Sequence, residues 1–159
     1  MKNSISYIVL FMAMILAATG CCKKELNMED ASKAYLEGNY KEAADVFLPK
    51  AKKGDPEAQV NIAFMYYCGM HVKQDFTKAA EWYTKAAERN HPNAQFSLAT
   101  LYENGEGVEQ DFEEAYFWYS LAEGQGDKDA GKLRKELEGK LGKSQVKMLK
   151  ERIEDWKPL

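Results

Sequence analysis

The sequence predicts an all-α protein built as a stack of about three helix–loop–helix repeats, closed by a C-terminal capping helix. Three observations predict it. Many residues coincide at a single offset of 36 positions, apolar residues recur every three or four positions, and Asp, Pro and Gly recur at repeat-equivalent places. Ala58 pairs with Ala94, Gln59 with Gln95, Tyr66 with Tyr102, Gly69 with Gly105 and Val72 with Val108. Gln74-Asp75-Phe76 recurs as Gln110-Asp111-Phe112, Trp82-Tyr83 as Trp118-Tyr119, and Ala79 and Ala86 as Ala115 and Ala122. Tyr40, Ala43 and Gly54 lie one period earlier, and Gly126 and Ala130 one period later. The chain therefore divides into a partial repeat at about 29–54, full repeats at 55–90 and 91–126, and a divergent end at 127–159.

Each full repeat predicts two helices. The first spans about 57–67 and 93–103, opened by Asp55-Pro56 or His91-Pro92, where Pro suits the first helical turn. Ala58, Ile62 and Tyr66 form its apolar stripe. The second spans about 76–89 and 112–123, with Asp75 and Asp111 placed as N-caps. Its Ala79, Trp82, Tyr83 and Ala86 share a face and are expected in the core. Gly69 and Gly105 suit a left-handed helix end. Gly107 suits the same geometry, which its counterpart His71 adopts less easily. At the end of the chain, Ser144 is the expected N-cap of a last helix reaching about Asp155, with Val146, Leu149, Ile153 and Trp156 covering the open stack.

Ahead of the repeats lies a targeting segment. Lys2 is its only charge, and Ile5 to Ala18 is apolar apart from Ser6. That run is 14 residues, short of the roughly 20 that span a bilayer, so it reads as a secretory signal over residues 1–20. Ala18-Thr19-Gly20-Cys21 resembles the lipobox of bacterial lipoproteins, although Ala18 stands where that family usually has Leu. The resemblance implies cleavage before Cys21, lipidation of its thiol, and a tether over 21–28. Cys22 rather than Asp follows the lipidated residue, which implies outer-membrane sorting with the domain facing the periplasm.

Composition narrows the chemistry. The formal net charge is −3, and loss of residues 1–20 removes Lys2 alone among charged groups. Such a balance argues against a nucleic-acid grip. Lys23-Lys24 and Lys52-Lys53 are the densest basic spots. The three cysteines are odd in number, so a complete disulfide framework is not indicated, and neither a CxxC nor a Cys/His pair at zinc-finger spacing occurs. Cys68-Gly69-Met70-His71 offers three donors from one loop, which reads as a drifted repeat loop rather than a metal site. No GxSxG, SxxK or HExxH occurs, and neither His71 nor His91 is spaced to activate a nucleophile. No catalytic residue and no cofactor is expected.

The run Asp55-Pro56-Glu57-Ala58-Gln59, then Tyr66, Gly69, Val72, Asp75, Ala79 and Trp82-Tyr83, closely resembles the Sel-one-like repeat, a relative of the tetratricopeptide repeat. The second copy adds Tyr102, Gly105-Glu106-Gly107-Val108, Asp111, Ala115 and Trp118, and Glu154–Pro158 resembles a terminal cap of bacterial members. The resemblance implies a right-handed α/α solenoid that acts as an adaptor or scaffold for a protein or peptide. Cysteine-rich members, with a Cys pair in each repeat, are described as penicillin-binding or β-lactamase-like. That supplies a second reading, a cell-envelope hydrolase, but this chain lacks the pairs. A third is a structural periplasmic protein without a dedicated client.

In the tetratricopeptide relatives one face of the first helix lines the concave groove. Here Val60, Phe64 and Tyr67 fall opposite the Ala58/Ile62/Tyr66 stripe, and Phe96, Thr100 and Glu103 are their counterparts one repeat on. These six are the candidate partner-binding residues. The competing reading of the same positions is packing against the neighbouring repeat.

Overall fold

The computed structural model describes residues 27–159; the expected signal segment, the expected lipidation site Cys21 and the expected tether up to residue 26 lie outside the described residues. Eight helices follow in order among the described residues: α1 (Met28–Leu36), α2 (Tyr40–Lys52), α3 (Pro56–Cys68), α4 (Phe76–Ala87), α5 (Pro92–Asn104), α6 (Phe112–Gly124), α7 (Lys128–Glu138) and α8 (Lys143–Asp155). Helices α2, α4 and α6 start 36 residues apart, and so do α3, α5 and α7. Contacts run mainly between sequence neighbours, as in a solenoid.

The residues that repeat explain the helices. Asp75 Oδ1 accepts from the Lys78 N–H at 3.0 Å, and Asp111 Oδ1 accepts from Glu113 and Glu114 at 2.8 and 3.0 Å. Both are the caps expected from sequence. Asp55 Oδ1 caps α3 through the Ala58 N–H at 2.9 Å. Gly69 and Gly105 end α3 and α5 at φ 71°. The repeated glutamines fasten the loops that follow: Gln74 donates to Tyr67 O and Gln110 to Glu103 O, each at 2.8 Å.

The turns between repeats have their own signature. Gly54, Asn90 and Gly126 all adopt positive φ, at 94°, 63° and 99°. The residue after each donates back to the preceding helix, Asp55 to Lys50 O, His91 to Ala86 O and Asp127 to Ala122 O. These are Schellman closures, which need a left-handed residue one place past the cap.

Alanine lines the seams. Ala43, Ala58, Ala79, Ala86, Ala94, Ala115, Ala122 and Ala130 have no exposed surface. Two clusters of buried residues meet at Tyr66 and Trp82, which touch both. Gly107, at φ 72°, lies against the start of α4, where an added Cβ would overlap the backbone of Phe76 and Thr77. The loop of one repeat thus seats on the second helix of the repeat before it.

Three features depart from expectation. The last helix starts at Lys143 rather than after Ser144; Gln145 Oε1 accepts from the Gly142 N–H at 2.7 Å, moving the helix start two residues upstream. The divergent end holds two helices, α7 in phase with α3 and α5, and α8 joined to it by a turn shorter than the loops of the full repeats. Trp82 is only half-buried, with Lys85 Nζ 4.2 Å above its ring, whereas Trp118 is 7% exposed and meets Trp156 edge-on at 6.5 Å. Leu121 occupies the position that Lys85 holds one repeat earlier, so a cation stands over the first tryptophan where the next repeat carries an apolar residue.

The expected cap otherwise holds. Val146 and Leu149 are buried, Ile153 and Trp156 pack on the core, and Arg152 pairs with Glu114 while lying 3.8 Å over Phe117. Beyond α8 the tail turns back, and the Leu159 N–H donates to Glu88 O at 2.8 Å.

Two glycine substitutions separate seating from turn strain. Gly107→Ala should cost about 2 kcal/mol or more, since it combines positive φ with a backbone overlap, and Gly38→Ala about 1 kcal/mol, because it meets only the positive φ of 82° in open space. Urea unfolding of both variants measures the difference; equal losses would show that the loop does not seat on α4.

Candidate partner-binding groove

The six residues proposed from sequence do not all behave alike. Phe64, Tyr67, Phe96 and Thr100 line one shallow depression of about 170 Å³ between α3 and α5. Val60 instead packs half-buried against the core, and Glu103 holds a polar network beside the depression. Tyr83, Ser97 and Leu101 complete the lining. Tyr83 was expected only as core; at 3% exposure it is buried, yet its ring forms the floor. Ser97 and Leu101 each follow an expected residue by one position, which shows the lining to be wider than a single stripe.

The depression arises from a stagger between repeats. Phe64 and Tyr67 come from the C-terminal half of α3, and Phe96 and Thr100 from the second and third turns of α5. Phe64 is 40% exposed and touches Tyr35 edge-on with centroids 6.5 Å apart. Tyr67 packs edge-on against Phe76 at 5.2 Å and donates its hydroxyl hydrogen to Glu106 Oε2 at 3.3 Å. The Phe96 ring meets Tyr119 at 5.4 Å. These contacts hold the aromatic rings in fixed orientations without covering Phe64.

One end of the depression is polar. Thr100 Oγ1 lies 3.0 Å from the Tyr119 hydroxyl, which donates to Glu103 Oε2 at 3.2 Å, and Lys140 Nζ stands 3.5 Å from Glu103 Oε1. Burial pushes the Tyr119 and Tyr83 hydroxyls up to about 12, with hydrogen bonds to Thr100 and Ser97 opposing the rise.

The groups with catalytic potential lie elsewhere. Cys68 is exposed and burial raises its thiol, the opposite of thiolate activation. Met70 Sδ accepts from the Tyr35 hydroxyl at 3.3 Å, and His71 sits in the loop at φ 61°. His91 Nε2 lies 3.1 Å from Glu57 Oε2 at the head of α5. Among the described residues no cluster of three His, Cys, Asp or Glu side chains is placed to hold a metal ion.

Alkali tests the floor of the depression. A tyrosine whose folded pKa lies above its unfolded value near 10 contributes stability below pH 10 and loses it as pH rises towards 12. Folded protein should therefore unfold over that window, and Tyr83→Phe should move the midpoint upward. Phenolate absorbance and circular dichroism followed together measure both; titration of every tyrosine near 10 with no loss of helix would contradict burial of Tyr83.

Comparison with known proteins places this geometry. The family model described as Sel1 repeat matches residues 56–91 and 92–127. A crystal structure of a protective antigen of uropathogenic Escherichia coli displaying an SLR fold is 29% identical, with a TM-score of 0.75 over 81% of this chain and 28% of that one. A Sel1 repeat protein from Oxalobacter formigenes is 30% identical, with a TM-score of 0.65 over 68% of this chain and 44% of that one. The chain thus spans less than half the length of either. No curated protein matches it. Helix phase, capping residues, family match and structural likeness agree: the described residues form a helical solenoid with two consecutive Sel1 repeats, 56–91 and 92–127, at its centre.

Proposed function

We propose that the protein is a non-enzymatic scaffold, tethered to the bacterial envelope by a lipid on Cys21, that holds a protein or peptide segment in the depression between α3 and α5. Sel1 repeats generally mediate protein–protein interaction. The observation that carries the reading to a place on the surface is Phe64. It is a large aromatic, 40% exposed, in the middle of the stack, beside a depression floored by Tyr83 and walled by Phe96. The other large exposed apolar residues described, Leu36, Met148 and Leu159, belong to the terminal helices and the tail. An aromatic anchor site in a rigid frame suits an apolar side chain of a partner, with Glu106 and the Thr100–Tyr119–Glu103 network at hand for polar groups beside it.

A photocrosslinker at position 64, used in intact cells and followed by mass spectrometry, identifies the segment. The double substitution Phe64→Ala with Phe96→Ala should weaken capture of that segment by about tenfold or more while helicity is retained. Unchanged capture would place the partner elsewhere, and loss of helicity would mean that both rings serve packing.

The anchor has its own test. A palmitate analogue should label the chain and not its Cys21→Ala variant, which should also leave the membrane fraction. Equal labelling of the two would refute lipidation at Cys21. The tether reading is supported by the apolar run ending at Ala18 and by Gly20-Cys21 after it. The same residues, with Cys22 after Cys21, support envelope placement with the domain facing the periplasm from the outer membrane.

A further inference from the structure

A basic hollow of about 430 Å³ lies at the turns joining α2 to α3 and α4 to α5, away from the aromatic depression. Lys52, Lys53, Lys85 and Arg89 line it together with Trp82, Gln59, Glu88 and Leu159, whose N–H is bonded to Glu88 O. None of the four cations forms an ion pair among the described residues. Gln59 is 3% exposed; its amide donates to Ala51 O at 3.1 Å, but its Oε1 is buried without a hydrogen-bond partner.

The next repeat supplies an internal control. Gln95 is the counterpart of Gln59, and there Gln125 donates to Oε1 at 2.6 Å. Arg89 stands at the position of Gln125, Lys52 at that of Glu88, and Lys85 at that of Leu121. The second junction is closed by protein groups and carries mixed charge. The first is open, cationic and short of one donor. Cations at helix C-termini complement the macrodipole, but that cause would act equally at both junctions and does not account for the difference.

Position in the stack indicates what the hollow meets. The chain reverses at every helix, so the N-terminus of α1 and the turns after α2 and α4 lie along one edge of the solenoid. The N-terminus of α1, which the proposed tether precedes in sequence, lies on that edge, and Lys23-Lys24 is a few residues upstream in sequence. We infer that the hollow engages the phosphate headgroup of an anionic phospholipid in the membrane that holds the tether, with a headgroup hydroxyl donating to Gln59 Oε1. This orientation rests on the proposed lipid anchor. Lys and Arg close to an anionic surface each add attraction, and several acting together would fix which edge of the solenoid faces the bilayer.

Lysine footprinting tests it on the full chain. The protein is mixed with vesicles of phosphatidylcholine, or of phosphatidylcholine with phosphatidylglycerol, labelled with an amine reagent, and read by peptide mass spectrometry. Labelling of Lys52, Lys53 and Lys85 should fall by about fivefold or more with phosphatidylglycerol relative to phosphatidylcholine alone, while Lys147 changes little. In K52E/R89E, with circular dichroism unchanged, Lys53 and Lys85 should lose that protection. Equal labelling in both vesicle types, or protection that survives in the double variant, overturns the inference. Equivalent protection by free glycerol 3-phosphate without vesicles overturns its lipid source. Flotation with phosphatidylcholine vesicles reports the anchor separately, so failure of the tether and failure of the hollow are distinguishable.

Discussion

The stack depends on how closely its helices approach at alanine. Ala58, Ala79, Ala94, Ala115 and their counterparts are fully buried where neighbouring helices touch. A methyl group lets two backbones come nearer than any larger apolar side chain would, and an interior so packed resists added volume at about 1–3 kcal/mol per overpacked site. The aromatic residues fill what the alanines leave. Tyr116, Phe117 and Tyr119 are buried beside the α6 seam, and Phe47 fills the first junction. Close approach also brings α3 and α5 near enough for side chains on adjacent repeats to make one surface. The depression of Phe64, Tyr83 and Phe96 is therefore a product of the seams rather than of any single helix.

Much of this was legible in the sequence because repetition converts local signals into an alignment. Asp75 and Asp111, Gly69 and Gly105, and the paired glutamines identify helix starts, ends and loops twice over, and the structure places them as expected. Where the repetition lapses, the reading weakens. Ser144 has the right chemistry for an N-cap, yet Gln145 serves the preceding N–H groups better through Gly142. The terminal hairpins have shorter turns than the full repeats, so the helix partner in each shifts out of phase.

The groove was half legible for a related reason. Helical periodicity placed Phe64, Tyr67, Phe96 and Thr100 on one face, and the structure gathers them. Periodicity within one helix carries no information about what the next helix contributes from below, so Tyr83 was assigned only to the core. Val60 and Glu103 occupy the same positions as Phe96 and Tyr67, one repeat away, but meet different neighbours. The same limit hid the half-buried Trp82: its sequence position is identical to that of Trp118, and only the residue three places on and the distant Trp156 distinguish them.

The returning tail changes how such an array comes apart. A solenoid of nearest-neighbour contacts frays from its ends, each unit leaving with little consequence for those further in. Here the backbone of Leu159 is bonded to Glu88, and Trp156 lies against Trp118, so the last residues of the chain rest on units laid down much earlier. Peeling α8 away breaks bonds to α4 and α6 together. The C-terminal end thereby behaves as a clasp that couples opening of the final hairpin to the middle of the stack, raising the cooperativity of the half that carries Phe96 and Thr100. Among the described residues the N-terminal hairpin makes no such return: α1 packs on α2 and reaches the next repeat through Tyr35, against Phe64 and Met70. It is the end from which unfolding can begin without disturbing the other.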